Sequence, residues 1–354
     1  MTEDILKNEL LKGRSTPQMP DTLKAPEAEG NQFMALFNSP ATNELTRTHT
    51  QGRGKSLQVD AITGRATVKK GRTDIFISEY EKLRSGLRPS THKLLDASTI
   101  QLAMQNEYKG SGEMKRTVVM DLEDYMRLCG RTITKPNKDK MRREINQDLD
   151  TLYQVSLRWE ENAGKGRTED YEETRILERK GFKRGKVLLT FTESISEYLR
   201  QSYIFNIPTT LFKLDSKNPT AYYIGRKLSI HFGIDANRAR DTHNIISVKK
   251  LLEHAEDTIP SYEDVIGTKG QQLEQRIMQP LEKALDTLEM EGIIQWEWCN
   301  SKKTQLTDEQ LFEMDYYTFI DLYIHFEVMN YPDQTLRIES KEARKKKSSK
   351  KNKK

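Results

Sequence analysis

Lys138, Arg142, Arg143 and Gln147 lie within PNKDKMRREINQDLDTLYQVSLRWE, residues 136–160. Lysine and arginine neutralise phosphates. Arginine and glutamine also fork onto the hydrogen-bonding edges of guanine and adenine. The chemistry on offer is recognition of a duplex. Bond-breaking chemistry finds less support. The six histidines are His49, His92, His231, His243, His254 and His325, and no two are spaced as metal ligands. None is followed by arginine at the His-x-x-Arg distance, and no glycine-flanked serine or carboxylate cluster stands out. Gly52–Ser56, GRGKS, resembles the end of a phosphate loop, but His49 stands where its first glycine belongs. No catalytic set, metal site or cofactor is expected. The reading is of a binding protein, not an enzyme.

The elements around the cationic residues follow from spacing. Met141, Ile145, Leu149 and Leu152 fall on one face of a helix, leaving Lys138, Arg142, Arg143, Asn146 and Gln147 on the other. Asn137 reads as the N-cap, with Pro136 discouraging an earlier start. Val155, Leu157 and Trp159 then alternate as a strand. The alternative is an ordinary amphipathic surface helix whose lysines and arginines are solvated charges.

Upstream, Leu94, Ala97, Ile100 and Met104 mark a helix with Ser90 as its cap. Thr117–Met120 is a short strand, and Asp121 caps a helix carrying Leu122, Tyr125, Met126 and Cys129. Downstream, Asn162–Lys186 reads as a wing, basic at Arg179, Lys180, Lys183 and Arg184, before a strand with Val187, Leu189 and Phe191. That order is a winged helix.

Thr192–Gln201 suggests a connecting helix, and then the pattern returns. Pro219–Phe232 is a helix. Ser247 caps a second, with Val248, Leu251, Leu252 and Ala255 at the offsets of Leu122–Cys129. Ile277, Leu281, Leu285 and Leu288 repeat the spacing of Met141–Leu152, with Pro280 interrupting the helix. Strands follow at Ile294–Trp298 and Ile320–Val328. Between them lie Lys302, Lys303 and a capping box from Thr307 to Gln310. Gln275, Arg276 and Lys283 are the second helix's candidates for DNA contact, with Lys302 and Lys303 on its wing. Glu274 and Glu282 dilute that charge.

The fold class expected is α+β: two tandem winged-helix domains at 86–192 and 216–332, joined by 193–215. A mostly disordered region, 1–85, precedes them, and a disordered basic tail, 333–354, follows. Phe33–Phe37, FMALF, is the one apolar cluster near the N-terminus suited to docking. Two cysteines, Cys129 and Cys299, give no disulfide framework, and no apolar run is long enough for a membrane span. A reducing cytoplasm fits, and no membrane partner is expected. The net charge of +5 is unevenly placed. The last fourteen residues carry +8 and residues 52–72 carry +5, so removing both from the total leaves −8 for the rest. Positive charge on the globular part must therefore be local if it binds DNA. The tail suits non-specific phosphate attraction.

KVLLTFTESISEYLRQSYIFNIPTTLFKLDSKNPTAYYIGRKLSIHF, residues 186–232, resembles the middle of plasmid replication initiator (Rep) proteins of the tandem winged-helix type. Ser216, Lys217 and Tyr223 occupy the phrase that opens the second domain there. RIMQPLEKALDTLEMEGIIQWEW resembles that family's long helix and following strand. The likeness spans about residues 90–330. It implies a sequence-specific initiator acting on double-stranded DNA at direct repeats of an origin. Its partners would be a host initiator and the replicative helicase, and repression of its own gene as a homodimer is a further implication. The competing reading is a winged-helix transcriptional regulator of a mobile element.

Overall fold

The computed structural model describes residues 33–50, 57–70, 73–83, 86–106, 114–160, 171–236, 243–267, 272–307, 309–310 and 314–331. Residues 1–32, the GRGKS stretch and the basic tail lie outside them. The described chain opens with β1 (Phe33–Asn38) and α1 (Pro40–Leu45), whose cap Ser39 and third residue Thr42 form a capping box. β2 (Leu57–Val59), β3 (Ala66–Lys70) and β4 (Thr73–Ile77) follow. This region therefore holds more regular structure than its Thr-, Gly- and Pro-rich composition suggests. The reason is non-local. Composition reports what a segment prefers alone, whereas β1 and β4 are completed by Tyr203–Pro208 and Val155–Glu160, far along the chain.

α2 (Pro89–Gln105) starts at Pro89, with Arg88 as its N-cap. Ser90, expected as the cap, lies in the first turn and donates to Asp148 Oδ1 at 3.1 Å. β5 (Thr117–Asp121) leads into α3 (Leu122–Leu128), where Asp121 accepts from the Glu123 backbone N–H as expected. α4 (Lys135–Gln154) begins three residues earlier than the sequence suggests. Its cap is Thr134, and Pro136 sits in the first turn, where its missing N–H costs nothing. Asn137 is therefore not the cap. Its Nδ2 donates to the Thr132 carbonyl at 2.9 Å. Met141, Ile145, Leu149 and Leu152 are buried, as the spacing requires.

The strand after α4 takes a different partner from the one expected. β6 (Val155–Glu160) alternates as predicted and buries Val155, Leu157 and Trp159. It joins β4, not the strand at Val187–Phe191. With β7 (Tyr171–Arg175) it completes a five-stranded antiparallel sheet in the order β2-β3-β4-β6-β7. The expected wing is instead a tight hairpin of β8 (Leu177–Lys183) and β9 (Lys186–Phe191). Arg184 and Gly185 turn it with φ of 52° and 77°. Two consecutive positive φ values match the twist of a two-residue hairpin. That local closure outcompetes the long loop assumed from sequence. The second sheet runs β5-β9-β8.

α5 (Glu193–Gln201) and β10 (Tyr203–Pro208) form the connection. β10 pairs antiparallel with β1, so Phe33–Phe37 does dock, edge to edge, on this segment. α6 (Pro219–Ala236), β11 (Ile245–Ser247) and α7 (Val248–His254) open the second module, with Ser247 capping α7. Gly225 of α6 is forced by contact, since a Cβ there would lie 2.6 Å from both Leu211 and Leu288 side chains. α8 (Tyr262–Ile266) precedes a π-helical turn at Glu274–Met278 that runs into α9 (Gln279–Met290). The π-turn absorbs Pro280, whose ring would otherwise collide with the preceding turn. β12 (Ile294–Cys299) and β13 (Tyr323–Val328) close a third sheet, β11-β13-β12. Ile320, expected in the last strand, ends the short α10 (Tyr316–Ile320). The Thr307–Gln310 capping box is present.

The two modules match in topology. In each, the first short strand pairs with the last strand, which pairs with the one before it. One backbone bond recurs as well. The first residue of the short second helix donates to the carbonyl just before the last strand. The pairs are Leu122 to Gly185 and Val248 to Leu322, both at 2.9 Å. Each module thus pairs a three-stranded sheet with a long helix, but β6 and β7 intervene between helix and hairpin in the first, and α8 and α10 are added in the second.

Buried polar contacts join them. Arg226 of α6 forks onto Asp96 of α2 at 2.9 and 3.1 Å, and Tyr222 Oη donates to Asp96 at 2.8 Å. Arg226 also reaches Asn43 Oδ1. Lys70 of β3 pairs with Asp257 and Glu256 beyond α7. His92 is buried here against Tyr223, with neither ring nitrogen hydrogen-bonded among the described residues. Burial pushes its pKa well below the usual value, with His49 and Arg226 acting in the same direction.

The native state therefore keeps His92 neutral, while the unfolded chain takes up a proton below about pH 6.5. Stability is full above that pH and falls as the pH drops towards the depressed native value. Replacing His92 with Leu should flatten the acid limb of a Tm-against-pH curve, by up to ~1.4 kcal/mol per pH unit. His254, also depressed by burial, keeps a residual slope. Identical acid limbs in the two proteins would contradict this.

Candidate nucleic-acid interface

α4 is held by its inner face and by a buried carboxylate. Asp148 accepts from Arg88 Nε at 3.1 Å and Thr91 Oγ1 at 2.7 Å, besides Ser90, which ties α4 to the start of α2. Burial raises the Asp148 pKa, and Arg88 opposes the rise. The outer face is thus fixed in direction. Lys140, Arg142 and Arg143 are exposed there. Arg143 meets no carboxylate among the described residues. Arg142 makes one loose contact, 3.4 Å, to the exposed Asp139. Its guanidinium also lies 5.6 Å from the Phe182 ring of β8, which brings helix and hairpin side by side.

The remaining residues predicted in this module are placed unequally. Lys183 and Arg184 stand exposed at the hairpin tip. Lys138 pairs with Glu123 at 2.5 Å, and that ammonium holds the Glu123 carboxyl below its usual range. Lys180 bonds Asp150 of α4, so it braces the hairpin against the helix. Arg179 is partly buried on β8. Gln147 accepts from Arg88 Nη2 at 3.4 Å and so faces its own protein. The best-placed cations are Lys140, Arg142, Arg143, Lys183 and Arg184. Exposed Arg131 and Lys135 flank them at the start of α4. Lys140 lies on the same basic stretch, between Lys138 and Arg142, and is exposed like Arg142.

The second module differs in sign. Gln275 is exposed and Arg276 partly buried in the π-turn, while Lys283 is exposed on α9. Around them are Glu274, Glu282, Asp286 and Glu289. The Glu282 pKa is raised, first by desolvation and then by Asp286 and Glu274. A carboxyl pushed up by its neighbours marks a locally negative surface. Met290, at the end of α9, is 81 % exposed. On the hairpin, Lys302 is exposed. Lys303 takes a left-handed backbone, φ 64°, and its ammonium donates to Asn244 Oδ1 at 2.8 Å. Asn244 in turn bonds His325, which bonds Glu297. The cations expected here are therefore fewer than in the first module and are set among carboxylates.

No family model matches this chain, and a search of curated proteins finds no match. Solved structures of similar shape include two crystal structures of domains 2 and 3 of RctB. The first is of selenomethionine derivatives, with a TM-score of 0.45 and 13 % identity, covering 81 % of this chain and 98 % of that one. The second has a TM-score of 0.39 and 12 % identity, covering 81 % and 96 %. Likeness at this level carries no inference about function. Among the described residues, no helix is long and apolar enough to cross a membrane.

Proposed function

We propose that this chain is a sequence-specific, double-stranded DNA-binding replication initiator of a plasmid or mobile element, and not an enzyme. The observation that carries the reading is the outer face of α4. Arg142 and Arg143 project from a helix whose other face is locked into a core, beside a hairpin tip holding Lys183 and Arg184. A helix so presented fits a major groove, and the hairpin suits the adjacent phosphates. The first module then reads bases. The second, acidic along α9, contributes phosphate contacts chiefly from Lys302. Origin repeats, a host initiator and the replicative helicase are the partners this role implies.

The test is plasmid maintenance. A replicon lacking its own initiator, but carrying the bound repeats beside an AT-rich segment, should persist only when this protein is supplied. Repression of a reporter without maintenance would instead make the chain a regulator. A covalently attached, nicked product from supercoiled DNA would make it an enzyme and overturn the proposal.

A further inference from the structure

Where α1, β3, α6 and α7 meet there is an open cavity of about 420 Å³. Five cations line it: Arg47, Lys69, Lys70, Lys227 and Lys250. Three carboxylates, Glu44, Glu253 and Glu256, share the wall. The ion pairs account for only part of this charge. Arg47 holds Glu44 at 2.5 Å and Glu256 at 3.4 Å. Lys70 holds Glu256 at 2.6 Å and Asp257 at 2.9 Å. Arg47 and Lys70 together hold Glu44, Glu256 and Asp257, while Lys69, Lys227 and Lys250 make no ion pair among the described residues, and five cations against four carboxylates leave the site net positive.

Lys227 is the informative residue. It is partly buried on α6, one position after the Arg226 that joins the modules. No acceptor among the described residues takes a hydrogen bond from its ammonium. Its pKa is lowered, first by burial and then by Arg47, with Glu44 opposing and Lys250 adding repulsion. A partly buried ammonium that no carboxylate hydrogen-bonds gains from an anion that completes its shell. Volumes of about 300–1,000 Å³ are typical of small-ligand sites. Lysine meets phosphate as a point charge and needs no glycine-rich loop to do so.

We propose that this cavity binds a phosphoryl anion through Lys69, Lys227 and Lys250. The group is a free polyphosphate or nucleotide, or a phosphate of a DNA backbone that passes over the cavity. The site is separate from α4, and the proposal holds whether or not α4 reads a duplex.

The test uses the full chain and titrates pyrophosphate and then ATP by calorimetry, with the shift in Tm as a second readout. Lys227→Gln is compared with Lys82→Gln, which removes a charge on an exposed residue elsewhere. Pyrophosphate should bind and raise the Tm. Lys227→Gln should weaken binding at least tenfold while leaving the unliganded Tm equal or higher, and Lys82→Gln should change nothing. Affinity for a random-sequence duplex separates the sources. If it is unchanged in Lys227→Gln, the ligand is a free phosphoryl group; if it falls in parallel, the ligand is backbone phosphate. The proposal fails if Lys227→Gln alters neither titration, or if Lys82→Gln weakens both equally.

Discussion

Replacing Arg142 and Arg143 together with alanine is expected to abolish specific duplex binding at moderate salt. Each base contact is worth about 1–3 kcal/mol. Two such contacts give roughly 2–6 kcal/mol, a loss of about 30-fold or more. Both side chains are exposed, and neither supports the core, so circular dichroism and Tm should hold. The loose Asp139 contact to Arg142 costs little to break, because exposed pairs contribute ~0–1 kcal/mol. Lys283→Ala should have a far smaller effect, since carboxylates already surround that lysine. Electrophoretic mobility shifts on a bound fragment check both variants. Undiminished binding by the double variant would mean that α4 is not the reading element.

The second large effect is on stability. Asp96→Ala is expected to cost about 3–5 kcal/mol, because it strands a buried guanidinium. Arg226 is 3 % exposed and Asp96 1 %, and the two share a bidentate contact across the junction of the modules. Tyr222 would lose its acceptor as well. In Tm this amounts to a fall of roughly 4–7 degrees. The double variant Asp96→Leu with Arg226→Met should recover most of the loss, since apolar groups of similar size need no counter-charge. Thermal denaturation of both variants decides it. Equal destabilisation in the single and double variants would show that packing, not charge, governs the junction.

Much of this architecture was legible because helices announce themselves locally. The burial of Met141, Ile145, Leu149 and Leu152 follows from their spacing, and so do the Asp121 and Ser247 caps. Strand pairing was less legible. Val155, Leu157 and Trp159 declare a half-buried strand but not its neighbour, and β6 joined strands from residues 57–77 that composition alone does not suggest. The hairpin register was present in Arg184–Gly185, yet its meaning depends on both residues adopting positive φ. Charge was the least legible quantity. Lys180 and Gln147 look available in sequence, and each is taken by a residue of its own fold, Asp150 and Arg88. Lys227 showed nothing in sequence, because its significance lies in carboxylates that are already paired with other cations.

The most direct test of the account is selection of bound fragments from random duplex DNA by the full chain, run in parallel with the Arg142→Ala, Arg143→Ala double variant. The account predicts a recurring consensus for the parent and none for the variant. No enriched sequence from the parent, or the same consensus from both, would contradict it.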